Sequence, residues 1–133
     1  MPPKLHATLG ALGVVPDPAV LARVLLLLGG DWGELPRIRR DARFDVDVSE
    51  AGEDALRGVL ASWVSPSEGS LLVAWPADRV GVAMAAAQLA GAIGELWYPA
   101  VDDLVVVQER RSGQCLVVVL DHEERLTCTW LVV

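Results

Sequence analysis

Leu104-Val105-Val106-Val107-Gln108, Cys115-Leu116-Val117-Val118-Val119-Leu120 and Arg125-Leu126-Thr127-Cys128-Thr129-Trp130-Leu131-Val132 are three strand-forming runs, and they decide the fold. Only two turn-like segments separate them, Arg110-Arg111-Ser112-Gly113 and Asp121-His122-Glu123-Glu124. A parallel pair would need a crossover of about a dozen residues, so connections this short force antiparallel neighbours, and the C-terminus is a meander. A turn centred on His122-Glu123 sets Leu120 opposite Arg125, Val117 opposite Cys128 and Cys115 opposite Trp130. Because side chains alternate, Cys115, Val117, Val119, Leu126, Cys128 and Trp130 then share one buried face. In that register the two cysteines are diagonal neighbours with α-carbons roughly 7–8 Å apart. That is too far for a disulfide, so both are expected as buried thiols.

Upstream, Asp17-Pro18 places a capping carboxylate and a first-turn proline ahead of Val20, Leu21, Val24, Leu25 and Leu28. Their spacing predicts a helix over 18–29, stopped by Gly29-Gly30. Residues 31–43 read as a loop carrying Arg37, Arg39, Arg40 and Arg43. Phe44-Asp45-Val46-Asp47-Val48 alternates as a strand with one wet face. A second helix is predicted over 50–63, capped by Ser49, and a buried strand over Leu71–Trp75. A third helix is predicted over 77–93. Between Val80 and Ile93 its only polar side chain is Gln88, so it belongs in the core or against a second subunit. The expected fold is therefore α/β of the α+β type. Three helices pack on a mainly antiparallel sheet that ends in the three-stranded meander, in a single domain spanning 1–133.

The chain carries 18 acidic residues against 11 basic ones, a net charge of −7. Such a balance repels a phosphate backbone and attracts a basic surface, so nucleic acid is disfavoured as a partner and a basic protein favoured. The longest apolar runs fall short of the ~20 residues a membrane-spanning helix needs, and the N-terminus has no secretion signal pattern. The expectation is a cytoplasmic protein that does not contact membranes.

Catalytic chemistry has few handholds. There is no Cys-x-x-Cys pair, no Gly-x-Ser-x-Gly elbow and no phosphate-binding glycine loop, and only His6 and His122 supply imidazoles. No cofactor, metal or catalytic residue is assigned. Trp97 and Tyr98 beside Asp102 and Asp103 combine aromatic area with charge, the composition of a binding hot spot. These four are the expected partner-binding residues.

The run Glu95-Leu96-Trp97-Tyr98-Pro99-Ala100-Val101-Asp102-Asp103-Leu104-Val105-Val106-Val107, followed by Leu116–Leu120 and Asp121-His122-Glu123, resembles the C-terminal portion of small acidic bacterial toxin-immunity-type proteins. That resemblance implies a non-enzymatic protein that neutralises a basic cognate toxin by binding it. Two alternatives stand beside this expectation. One is a homodimer or a subunit of a larger assembly, burying the 77–93 helix. The other is a small metal-dependent or ligand-binding enzyme using Asp102, Asp103, Asp121 and His122.

Overall fold

The computed structural model describes residues 2–97 and 103–132. Its centre is the meander: β4 (Leu104–Glu109), β5 (Gln114–Leu120) and β6 (Arg125–Val132) pair antiparallel in sequence order. Further strands extend the sheet on both sides. β1 (Phe44–Asp47) lies outside β6, and the hairpin of β2 (Leu71–Trp75) and β3 (Val80–Met84) adds to β4. The order is β1-β6-β5-β4-β2-β3, with every pairing antiparallel.

Helices cover both faces of this sheet. On one side α1 (Pro3–Leu12), α4 (Glu53–Trp63) and α5 (Ala86–Leu96) press Leu5, Leu9, Leu56, Leu60 and Ile93 onto Trp75, Val106, Leu116, Val118 and Cys128. On the other, α2 (Pro18–Leu27) and α3 (Leu35–Arg40) press Val24, Leu28 and Ile38 onto Ala74, Val105, Cys115, Val117 and Val119. Burial on both faces explains why β4 and β5 read as continuous apolar runs rather than alternating ones.

The helix expected over 18–29 is present as α2. Asp17 accepts from the Ala19 amide at 2.9 Å, and Gly29 and Gly30 stop the helix at φ +106° and +86°. The 50–63 helix begins later, at Glu53 with Gly52 as its cap, because the Ser49 amide donates to Asp47 Oδ1 (2.9 Å) and continues the strand's exit turn. Residues 31–43 are not simply a loop, since Trp32–Glu34 is a turn of 3-10 helix leading into α3.

The 77–93 helix is a correction. A 3-10 turn at Pro76–Asp78 leads into the edge strand β3, and the α-helix is only Ala86–Leu96. Val80, Val82 and Met84 pack toward the first core, while Gly81 backs onto α2, where an added Cβ would lie 2.7 Å from the Leu21 nitrogen. With Gly81 buried on α2 and the exposed position filled by Ala83, this strand has the same all-apolar signature as a buried helix.

The register of the last hairpin also shifts. Leu120 opposes Leu126, Val118 opposes Cys128 and Leu116 opposes Trp130. Three residues, His122-Glu123-Glu124, form the loop, with Glu124 in the left-handed region at φ +59° and its amide donating to the Asp121 carbonyl (3.0 Å). A three-residue loop ending in a left-handed position adds one residue relative to a two-residue turn, and a one-residue slip exchanges the faces. Cys128 and Trp130 therefore face the α1/α4/α5 side with Val118, and Cys115 faces α2 and α3. The cysteines are both free and buried, on opposite sides of the sheet.

Candidate functional site

The β5–β6 turn gathers the charge. Asp121 is fully buried, and its Oδ1 accepts from the Glu123 amide (2.8 Å) and the Arg125 amide (3.1 Å), which shapes the turn. Its Oδ2 lies 2.5 Å from Arg39 Nη2, a charge contact outside hydrogen-bond geometry, and the same nitrogen is 3.7 Å from Glu123. α3 supplies Arg39, so the short helix after the 3-10 turn ties the turn to the sheet face. Asp103, just ahead of β4, accepts from both the backbone amide and ring Nδ1 of His122, each at 3.0 Å. The hydrogen bond and the carboxylate charge raise the His122 pKa above its ordinary value.

Strand β1 completes the cluster. Its end is fastened by the Val48 amide donating to the Glu124 carbonyl (2.9 Å). Arg125 reaches across from β6 to Asp45 (2.8 Å) and Asp47 (3.9 Å). The Asp47 carboxyl is held below its usual range, chiefly by the backbone hydrogen bond from Ser49. Asp45, Asp47, Asp103, Asp121 and Glu123 thus share two arginines, Arg39 and Arg125, and one imidazole. Five carboxylates meet two guanidiniums and one imidazole at this end of the sheet. A cleft of about 250 Å³ opens beside it, lined by Pro36, Arg39, Arg40, Asp45, Asp121, Arg125 and Thr127.

Of the residues expected to contact a partner, Asp103 sits in this cluster, paired to His122. Trp97 is only 6% exposed and belongs to the first core, so its ring serves packing. Tyr98 and Asp102 lie outside the described residues. The set Asp103, Asp121 and His122 does not converge on a common point. His122 turns to Asp103, while Asp121 is spent on turn amides and Arg39. Among the described residues no group of three or more His, Cys, Asp and Glu side chains is placed to hold a metal ion.

The exposed aromatic surface lies elsewhere. Phe44 on β1 is 45% exposed and stacks on Trp63 of α4 (centroids 5.9 Å, interplanar 19°). Arg43 lies 5.7 Å from the Phe44 centroid. Arg110 sits 5.0 Å over Trp130 and donates to the Trp63 carbonyl (2.6 Å). Trp63 and Trp130 are half-buried rather than core. The signal for this patch was present in the β1 alternation, which sets Phe44 and Val46 on one face and Asp45 and Asp47 on the other. No helix among the described residues is long and apolar enough to cross a membrane. No family model, curated protein or solved structure matches the chain.

Proposed function

We propose that this chain is a non-enzymatic protein-binding module of the toxin-neutralising immunity type, and that its partner is a basic protein docking on the carboxylate-rich end of the sheet. The observation that carries the reading is the acid-rich network of Asp45, Asp47, Asp103, Asp121 and Glu123, with five carboxylates for two arginines and one imidazole. A fixed negative field of this kind steers a positive surface toward it and penalises negative ones. On the opposite face of β1, exposed Phe44 stacked on the half-buried Trp63 offers aromatic area that a partner reaching over this edge can desolvate.

The test is to express the product of the reading frame adjacent to this one in the source genome, with and without this chain. Growth arrest by the neighbour, relieved by this chain and no longer relieved by an Asp103→Lys/Glu123→Lys variant that still folds, is the expected result. A harmless neighbour, or relief that survives the double charge reversal, counts against the reading.

A further inference from the structure

Among the described residues β1 is the outermost strand on its side of the sheet, hydrogen-bonded to β6 alone. Its phase is set by the Val48 amide, which donates inward to Glu124. In an antiparallel ladder inward and outward residues alternate, so Val46 and Phe44 bond toward β6 and the N–H and C=O groups of Asp45 and Asp47 face away from it. Among the described residues these four backbone groups form an open edge. On one face of that edge stand the carboxylates of Asp45 and Asp47, and on the other Phe44 and Val46. Asp45, Phe44 and Asp47 are all exposed.

We infer that β1 is a strand-addition site, onto which the basic partner lays an extended segment with Lys or Arg on one face and apolar residues on the other. This rests on the reading of a basic partner and names how that partner is held. Main-chain bonds to Asp45 and Asp47 supply the ladder, and the alternate side chains supply the specificity. A cation directly across from each aspartate gains a favourable cross-strand pair, and apolar residues opposite Phe44 and Val46 extend the ring stack on Trp63.

Charge also rejects the other obvious occupant, a second copy of this chain. Antiparallel self-pairing that keeps Phe44 and Val46 on a common face sets Asp45 opposite Asp47 of the second copy. Both such pairs lie on the same face, bringing four carboxylates together with only the two Arg125 side chains to offset them. Like charges directly opposite are destabilising, and charged edges are how sheets avoid self-association. The two aspartates therefore act as a filter, blocking like edges and admitting a basic one.

The experiment uses the full chain, labelled for NMR, and three acetylated and amidated peptides. They are Thr-Lys-Val-Lys-Val-Lys-Thr, the same sequence N-methylated at each lysine, and Thr-Glu-Val-Glu-Val-Glu-Thr. The expected result has three parts. The lysine peptide shifts the amide resonances of residues 44–47 and slows exchange of the Asp45 and Asp47 amides. The N-methylated peptide binds at least about tenfold more weakly, since it cannot donate to the edge. The glutamate peptide does not bind. Equal binding by the lysine peptide and its N-methylated form overturns strand addition while leaving a basic partner standing. Equal binding by the lysine and glutamate peptides removes the charge reading beneath it. Shifts confined to residues away from β1 also overturn the inference.

Discussion

Replacing Asp121 with Ala should destabilise the protein by about 3 kcal/mol. The side chain is fully buried, and Oδ1 holds the amides of Glu123 and Arg125 at 2.8 and 3.1 Å. Each lost hydrogen bond to the carboxylate is set at about 1 kcal/mol, below the ~1.5–3 of a charged acceptor, because water reaches the turn once the carboxylate is gone. The third contribution is the contact with Arg39, whose side chain is 20% exposed. Breaking a fully buried pair costs about 3–5 kcal/mol, whereas exposed pairs contribute about 0–1. A partly solvated guanidinium places this one near 1 kcal/mol. For a chain of this length, an unfolding entropy of about 2.1 cal/mol/K per residue turns 3 kcal/mol into a fall of about 10 °C in Tm. Asp121→Asn keeps an acceptor for the two amides and loses only the charge, so its fall should be less than half as large. Circular-dichroism melts and urea titrations of both variants measure this. An Asp121→Ala protein melting within about 2 °C of the parent would refute the reasoning.

Gly81→Ala should be destabilising by about 1–3 kcal/mol, because its new methyl meets the Leu21 backbone rather than a side chain that can move. Gly91→Ala, in α5 with open space at its Cβ position, should instead stabilise by about 0.5–1 kcal/mol, and paired thermal melts separate the two. His122 should titrate above 6.5 in an NMR pH series and return toward that value in Asp103→Asn. Since its folded pKa is the raised one, its contribution to stability is whole below 6.5 and fades as pH climbs through the folded value. Burial pushes both thiols up to about 11, so Cys115 and Cys128 should resist a thiol-specific chromogenic reagent at pH 8 until denaturant is added.

Where local chemistry acts alone, the fold can be read from the chain. Asp17-Pro18 and Gly29-Gly30 bracket α2 because caps and left-handed glycines are short-range effects. The meander is equally local, being three runs joined by turns too short for a crossover. Legibility fails where a tertiary layer changes the pattern. Val80–Met84 has Gly81 pressed on α2 and Ala83 at its exposed position, so it loses the alternation that marks a strand. The final register depends on whether Glu124 takes a left-handed conformation, an uncommon choice for a non-glycine residue, and that one backbone state decides which face Cys128 and Trp130 occupy. The site divides in the same way. Asp103 beside the Asp121–Glu124 turn is foreseeable from sequence, whereas Asp45 and Arg39 join them only because β1 and α3 flank β6. The tryptophans mislead for a related reason. Trp97 follows directly on α5 and is drawn into the core with Leu96, leaving the exposed aromatic role to Phe44 with the half-buried Trp63 and Trp130.

The central claim is electrostatic recognition of a basic protein, and stopped-flow association tests it most directly. The purified product of the adjacent reading frame is mixed with this chain, and with an Asp45→Asn/Asp103→Asn/Glu123→Gln variant, from about 50 to about 500 mM salt. The account predicts that the parent rate falls by about tenfold or more across that range, and that the variant starts slower and falls less steeply. A rate independent of salt, or the same salt dependence in parent and variant, would contradict it.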